Sequence, residues 1–79
     1  SLAAHFATKA GTLLHAGLSE REYEVLLRIA AGKTTSEIAD ELFLSPHTVS
    51  TYRARVLEKL TLKNNAELVH YALKHKLID

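Results

Sequence analysis

The residues most suited to chemistry lie between Thr34 and Leu60, where hydroxyl and basic side chains collect along one stretch of chain. Hydroxyl and guanidinium groups hydrogen-bond to base edges and phosphates, whereas catalysis would also need a base and an orienting group, which the neighbouring sequence lacks. The stretch predicts a short helix, a tight turn and a second helix that begins with Ser45 as its cap and Pro46 in its first turn. A short helix that supports a polar helix is the plan of a helix-turn-helix that reads DNA.

The second of these helices, which we call the polar helix, has an outer face without large apolar residues. Successive side chains advance by about 100° around a helix, so the residues that point away from the apolar stripe can be identified. They are His47, Ser50, Thr51, Ala54, Arg55 and Glu58. Serine and threonine hydroxyls bond to several base edges, and methyl groups contact thymine, although an ordinary solvated helix face could have the same composition.

Contacts to the DNA backbone are predicted at helix starts and among the basic residues. Free N–H groups at the start of the shorter helix attract anions, although Thr34, Thr35 and Ser36 can also act there as caps alone. Arg53 lies nearer the apolar side, so that its stem can pack while its guanidinium reaches a guanine or a phosphate. The other expected backbone contacts, each with packing, capping or a weak surface ion pair to Glu41 or Glu58 as its alternative, are Thr48, Tyr52, Arg55 and Lys59.

Charge is distributed unevenly, although the chain of 79 residues has a net charge of only +1. Residues 18–42 contain six acidic and three basic residues, a net charge of −3. Residues 43–65 contain one acidic and four basic residues, a net charge of +3. Attraction of phosphates depends on such a local field rather than on the total charge, so the favourable field falls on the polar helix and the turn after it.

Size and composition exclude several other classes of protein. A chain of 79 residues with 47% hydrophobic residues can form one small globular domain. It has no cysteine for a disulfide or a thiolate metal site, no apolar run long enough to cross a bilayer and no signal peptide. His70 and His75 do not share a helical face and lack further ligands, so we expect no metal site. Together these observations also lead us to expect no cofactor, no membrane partner and no enzymatic activity.

Four helix starts, identified from capping residues, define the elements that position the polar helix. Ser45 marks one of them, and Gly32 is expected to end the first helix in the left-handed conformation. Capping boxes mark the other three, formed by Ser19 with Glu22, Thr34 with Glu37, and Asn64 with Glu67. Apolar residues at helical spacing then predict an all-α, four-helix bundle-like domain with a central helix-turn-helix.

The fourth predicted helix, from about Asn65 to Lys76, has apolar residues over about half of its circumference. This face is wider than a small domain needs for its own core, so part of it is expected to meet another chain. Residues 1–17 contain two glycines and no capping box. Since the chain begins with Ser1 rather than methionine, we expect residues 1–17 to be a linker remnant from a missing upstream domain and residues 18–79 to be the folded domain.

The succession of motifs from Leu18 to about Leu77 resembles the LuxR/FixJ/NarL-type DNA-binding domain. The matching pieces are Leu18-Ser19-Glu20-Arg21-Glu22, Gly32, Glu37-Ile38-Ala39, Leu44-Ser45, Thr48-Val49 and Lys59-Leu60. The resemblance implies a four-helix domain that binds double-stranded DNA as a homodimer and regulates transcription. It implies base-facing positions at Ser50, Thr51 and Ala54, with Arg53 beside them. The fourth helix is expected to pair two copies through Val69, Ala72, Leu73 and Lys76.

Three residues depart from the common pattern of that family. Tyr52 stands where His is frequent, and Thr61 stands where Gly often ends the third helix. Asn65 stands where Arg is common, which removes a basic group near the expected DNA backbone.

The segment from Thr48 to Arg53 looks like the reading helix of two-component response regulators, in which an upstream receiver domain is phosphorylated on aspartate. We therefore expect the cytoplasmic C-terminal effector domain of such a regulator. One alternative is the same domain from a ligand-sensing quorum regulator. Another is a protein-interaction module that contacts RNA polymerase through the fourth helix or the acidic face of the first.

Overall fold

The computed structural model describes residues 17–78, and within this range it contains four α-helices and no strand. The helices are α1 (Glu20–Ala30), α2 (Thr35–Leu42), α3 (Pro46–Leu60) and α4 (Asn65–Lys74). The predicted all-α domain with a central helix-turn-helix is confirmed, since α2, a short turn and α3 form that motif. The linker expected over residues 1–17 lies outside the described residues except for its last position.

The predicted N-caps of α1, α2 and α3 are present. Ser19 and Thr34 each form a full capping box with the glutamate three residues later. In each box the hydroxyl accepts from the glutamate N–H, and the carboxylate accepts from the N–H of the capping residue. Ser45 caps α3, and Pro46 occupies the first helical position, where the missing N–H is not needed. Local hydrogen bonds therefore decide where these helices begin.

The start of α4 differs from the predicted capping box in one hydrogen bond. Asn64 Oδ1 accepts from the N–H of Glu67 at 2.9 Å, as predicted. The Glu67 carboxylate accepts from the N–H of Lys63 at 2.8 Å and not from that of Asn64. The prediction of a reciprocal box was wrong here because the carboxylate reaches one residue further back. Together the two bonds still hold residues 63–67 in a fixed turn.

The four described helices end in the same kind of left-handed turn. Shortly after each helix one residue has a positive φ, and the N–H of the residue after it bonds to a carbonyl five residues earlier. These left-handed residues are Gly32 (φ 90°), Phe43 (φ 58°), Thr61 (φ 58°) and Lys76 (φ 57°). Of these four residues, only Gly32 was predicted to be left-handed, because glycine is the residue that adopts this conformation without steric strain.

The core lies between the helices and is built from the predicted apolar stripes. α1 packs against α3 and α4, and α2 packs against α3 and α1. The buried apolar residues of the first three helices are Val25, Leu26, Ile29, Ala30, Ile38, Ala39, Leu42, Val49, Val56, Leu57 and Leu60. One side of α3 is thus held by two helices, while its other side faces solvent.

The predicted faces of α4 need correction. Ala72 is 0% exposed, so its place in the expected dimer interface was wrong: the residue belongs to the core of this chain. Tyr71 is also buried, whereas Ala66 is exposed, so only part of the apolar arc of α4 faces the core. Leu73, which is 49% exposed, and the half-buried Val69 remain available on the outside.

α4 is also shorter than predicted, because it ends at Lys74 and the chain turns left-handed at Lys76. Lys76 therefore lies in the turn after the helix and not on its face, although it is exposed. None of the helices within residues 17–78 combines the length and the apolar character that are needed to span a membrane.

Candidate nucleic-acid interface

The outer face of α3 is continuous and open. All six side chains that helical spacing placed away from the core are exposed, namely His47, Ser50, Thr51, Ala54, Arg55 and Glu58. α3 has 15 residues, which corresponds to a length of about 22 Å. A helix with one open polar side can enter the major groove of DNA, which is about 12 Å wide.

The small side chains on this face offer different groups to a ligand. Thr51 Oγ1 donates to the carbonyl oxygen of His47 at 3.2 Å, so Thr51 presents a methyl group and an acceptor oxygen to the outside. Ser50 has an exposed hydroxyl without a hydrogen-bond partner in the described residues, and it can donate or accept. Ala54 adds a methyl surface one turn further on. The outer face of α3 can therefore contact several kinds of base edge. On binding, the Ser50 and Thr51 hydroxyls would still have hydrogen-bond partners.

Arg53 lies at the edge of the face and is half-buried. Its Nε donates to Oδ1 of Asn65, the first residue of α4, at 2.6 Å. This bond ties the middle of α3 to the start of α4 and leaves the guanidinium charge uncompensated, because the asparagine is neutral. The sequence did not indicate this partner, since the two residues lie 12 positions apart on different helices.

Arg55 is exposed and makes no ion pair within the described residues. Its Cζ lies 6.0 Å from the centroid of the Tyr52 ring, at the outer limit of a cation–π contact. The Tyr52 ring is half-buried and packs against the core. Arg55 therefore offers a free positive charge beside the outer face, on a helix that the Tyr52 ring helps to anchor.

Lys59, in contrast, has a charged partner inside the fold. Its Nζ donates to Glu22 Oε1 at 2.7 Å, and Glu22 is only 3% exposed. The same carboxylate oxygen accepts from the N–H of Ser19 at 2.7 Å, so it joins the cap of α1 to the last turn of α3. The sequence suggested other ion-pair partners, because Glu22 and Lys59 are separated by 37 positions. A phosphate contact by Lys59 stays a prediction and has to compete with this ion pair.

The surroundings of Glu22 favour its charged form. Burial alone would raise the pKa of the carboxyl, but the hydrogen bonds from Lys59 and Ser19 and the charge of Lys59 outweigh burial. The pKa of Glu22 is therefore lowered from the ordinary value of 4.5. Glu22 and Lys59 therefore form an ion pair in which the two charges cancel.

The predicted phosphate site at the start of α2 already contains a carboxylate of the protein. Thr34 N–H donates to Glu37 Oε1 at 2.8 Å, and Glu37 N–H donates to Thr34 Oγ1 at 3.1 Å. Ser36 is exposed and Thr35 is half-buried. A phosphate contact by Thr34, Thr35 and Ser36 stays a prediction, and the negative charge of Glu37 opposes it.

Thr48, another predicted contact to the DNA backbone, takes part in the cap of α3. Its N–H donates to Ser45 Oγ at 3.1 Å, and its hydroxyl lies 2.9 Å from the same oxygen. Capping therefore explains the position of Thr48 without a ligand. Its contact to a phosphate stays a prediction.

The acidic half of the domain is partly neutralised by its own basic residues. The carboxylate of Glu41 on α2 accepts from Arg28 Nε at 2.9 Å and from Lys33 Nζ. The hydrogen bond from Lys33, with a further one from Arg28, lowers the pKa of Glu41. Arg28 and Lys33 thus hold α1 and its following turn against α2, and their charges are not free for a phosphate.

His70 lies in α4, and His75 directly follows the last residue of this helix. His70 and His75 line a groove of about 350 Å³, together with Leu60, Leu62, Glu67, Tyr71 and Lys74. Within residues 17–78 no group of three or more histidine, aspartate or glutamate side chains is arranged to hold a metal ion. None of the residues that line the groove belongs to the outer face of α3.

Known proteins with similar sequences are bacterial regulators. Residues 16–72 match the family described as bacterial regulatory proteins, luxR family. The chain is 50% identical over 62 residues to the oxygen regulatory protein NreC of Staphylococcus carnosus (strain TM300). It is 45% identical over 64 residues to the response regulator UvrY of Escherichia coli (strain K12). These similarities cover 78% and 81% of this chain, but the chain spans only 29% of the length of each relative.

A solved structure has the same architecture. Full-length FixJ from B. japonicum superimposes with a TM-score of 0.75 and is 32% identical in sequence. The similarity covers 92% of this chain and 39% of the FixJ chain. The fold around α2 and α3 therefore also occurs as a part of a longer chain.

Proposed function

This chain belongs to the luxR family of bacterial regulatory proteins, and on that basis we propose that it is the C-terminal effector domain of a two-component response regulator. The domain would bind a specific DNA sequence, regulate transcription in the cytoplasm and catalyse no reaction. The relatives it resembles are longer, since the similarity covers only 29% of each, and their remaining part would receive the signal. We prefer a response regulator to a ligand-sensing quorum regulator because the similar protein UvrY is named a response regulator.

One observation carries this proposal: the open face of α3 combines small polar and methyl groups with cations at its edge. Ser50, Thr51 and Ala54 are exposed, and neither Arg53 nor Arg55 is neutralised by a carboxylate in the described residues. Neutral small groups suit base edges, and uncompensated guanidinium groups suit phosphates and guanine. Arg28, Lys33 and Lys59 are each paired with a carboxylate. The absence of such pairs at the two arginines favours a binding role over an ordinary solvated face.

The proposed mode of binding follows from the packing of α3. α3 lies in the major groove with Ser50, Thr51 and Ala54 against base edges, and Arg53 reaches a guanine. Arg55 contacts a phosphate beside the groove. α2 packs against α3 and holds it through the shared core. Affinity should fall steeply with salt, because each phosphate contact releases condensed counterions.

We also propose that two copies pair through α4, in a smaller interface than the sequence predicted. The exposed Leu73 supports this, with Val69 and Lys76 beside it. Two copies would bind two half-sites about one helical turn apart. A single copy should bind weakly, because pairing raises the effective concentration of the second reading helix.

The dimer is tested with Leu73→Asp, followed by sedimentation velocity with and without DNA. This change should reduce DNA-dependent pairing and leave the fold intact, since Leu73 is half exposed. Ala72→Asp serves as the contrast, because a charge at this fully buried site should unfold the chain. Normal pairing of a folded Leu73→Asp variant would remove α4 from the proposed interface.

A second candidate function, contact with RNA polymerase, is favoured by Phe43. Its side chain is 94% exposed, and its backbone has the left-handed conformation that disfavours side chains. A large aromatic residue at this position contributes little to the core, whereas exposed aromatic rings are common at protein interfaces. Phe43→Asn should keep DNA binding and weaken binding to purified RNA polymerase. Unchanged polymerase binding would eliminate this candidate.

The main proposal is tested by selecting duplexes from a randomised pool with the 79-residue chain. The affinity for the selected duplex and for a scrambled duplex of the same composition is then measured by fluorescence anisotropy at two salt concentrations. Salt-sensitive binding that prefers the selected duplex is the expected result. Absence of binding at low salt by the folded chain would overturn the proposal, and equal binding to both duplexes would contradict sequence specificity.

A further inference from the structure

The hydrogen bond between Arg53 and Asn65 links α3 to α4, a helix that contacts no DNA in the proposed binding mode. Arg53 Nε donates to Asn65 Oδ1 at 2.6 Å. Arg53 is half-buried, so its stem is held by the domain, whereas Asn65 is exposed. The bond therefore fixes the end of a long side chain at the point where it leaves the core.

The hydrogen bond from Arg53 Nε to Asn65 limits how the guanidinium can bind another group. A guanidinium can form a bidentate pair either through Nε and one terminal nitrogen or through its two terminal nitrogens. With Nε bonded to Asn65, only the pair formed by Nη1 and Nη2 is free. The two acceptors of a guanine edge, O6 and N7, match such a fork.

Asn65 is itself held by the turn before α4. The N–H of Glu67 donates to Asn64 Oδ1 at 2.9 Å, and the N–H of Lys63 donates to Glu67 Oε1 at 2.8 Å. These two bonds span residues 63–67 and fix the first turn of α4. The backbone that carries Asn65 is thus fixed by bonds within the turn, which is what a positioning group requires.

We propose that Asn65 is a positioning residue that orients Arg53, so that Nη1 and Nη2 of the guanidinium face a guanine in the major groove. The inference rests on the proposed DNA binding and deepens it: α4 contributes to sequence discrimination without touching a base. A neutral amide is suited to this role, because it holds the guanidinium and leaves its charge available. An acidic residue would hold the guanidinium more strongly, but it would neutralise the charge and repel the DNA.

The test compares Asn65→Ala, Asn65→Asp and Arg53→Gln with the unaltered 79-residue chain. Affinity is measured for the duplex selected from the randomised pool and for its scrambled counterpart, and the ratio of the two is the discrimination. Thermal unfolding of each variant serves as the control for folding. Alanine is well tolerated at an exposed first helical position, so Asn65→Ala should remain folded.

Asn65→Ala should lower the discrimination about tenfold, the effect expected for a disturbed bidentate base contact, while unfolding is unchanged. Asn65→Asp keeps the acceptor, so it should retain the discrimination while binding both duplexes more weakly. In the Arg53→Gln background, Asn65→Ala should have no further effect, because its action passes through Arg53.

The inference is overturned if Asn65→Ala leaves the discrimination unchanged, or if it lowers the discrimination equally in the Arg53→Gln background. In either case the unaltered chain still prefers its selected duplex, so the proposed function stands. If the unaltered chain does not distinguish the two duplexes, the proposed function fails, and the inference fails with it.

Discussion

Two basic residues on α3, Lys59 and Arg53, are hydrogen-bonded to other helices in different ways. Lys59 donates to the buried carboxylate of Glu22 at 2.7 Å, so that its charge is compensated within the fold. Arg53 donates to the neutral amide of Asn65 at 2.6 Å, on an exposed surface. The first bond joins α1 to α3 and neutralises the charge of Lys59. The second holds the Arg53 side chain and leaves its charge uncompensated.

This difference shows that a basic residue on a reading helix is not by itself evidence of a DNA contact. We therefore expect the charge and burial of the partner to distinguish a structural role from a binding role. Counting cations gave α3 and the following turn a net charge of +3. The ion pair of Lys59 assigns one of those cations to the fold, which concentrates the expected interface on the two arginines.

The largest predicted effect comes from removing Glu22, the buried partner of Lys59. Glu22→Ala should lower the free energy of unfolding by about 2–3 kcal/mol, because it removes half of a capping box and the buried partner of Lys59. Urea denaturation measures this change. Glu24→Ala is the matched control, since Glu24 forms only a loose surface pair with Arg21 at 3.7 Å, and it should change stability by less than about 0.5 kcal/mol. Equal effects of the two variants would show that Glu22 does not hold α1 to α3.

On the exposed side of the comparison, Arg55→Gln should weaken DNA binding and leave stability unaltered. Arg55 has no carboxylate partner in the described residues, so its loss removes a phosphate contact. The affinity should fall by about 1 kcal/mol for all duplexes, and the slope of log affinity against log salt should become shallower by about 1. Anisotropy titrations at several salt concentrations measure both quantities. A slope that does not change would exclude a phosphate contact by Arg55.

The ion pair of Glu22 also predicts how stability depends on pH. Because the pKa of Glu22 is lowered in the folded state, the pair stabilises the fold above the ordinary pKa of 4.5 and loses this effect as the pH falls through the folded-state pKa. Thermal unfolding measured from pH 6 down to about pH 3 should show a decline that is smaller for Glu22→Gln. An identical decline in the variant would mean that Glu22 does not contribute to it.

The smallest predicted effect separates stability from binding. Thr61 ends α3 with a φ of 58°, a conformation that is unfavourable for a β-branched residue. Thr61→Gly should therefore raise the free energy of unfolding by about 0.5–1 kcal/mol without changing DNA affinity. Thermal unfolding and anisotropy measure the two quantities. A loss of affinity in the more stable variant would place Thr61 in the interface.

The sequence predicted those features that depend on near neighbours. The caps at Ser19, Thr34, Ser45 and Asn64 need only three or four residues of context, and all four are present. The exposed face of α3 was also predicted, because helical spacing alone determines it. Local chemistry therefore accounts for most of the fold and for the outline of the candidate site.

The features that were missed depend on contacts between distant segments or on unfavourable backbone conformations. Neither Glu22 with Lys59 nor Arg53 with Asn65 can be paired from spacing, because the helices must pack first. The left-handed conformation of Phe43, within a turn that was itself predicted, has no glycine to mark it. Ala72 was misplaced because α4 is apolar over a wide arc, and only packing against α1 decides which part is buried.

The most direct test of this division between the two cations is a side-by-side measurement of Arg53→Gln and Lys59→Gln. Discrimination between the selected and scrambled duplexes is measured by anisotropy, and the free energy of unfolding by urea denaturation. Arg53→Gln should lower the discrimination about tenfold and leave stability within about 0.5 kcal/mol of the unaltered chain. Lys59→Gln should lower stability by about 1 kcal/mol, a value reduced by the partial exposure of the lysine, and leave the discrimination unchanged. Loss of discrimination in the Lys59 variant, with stability retained, would contradict the account.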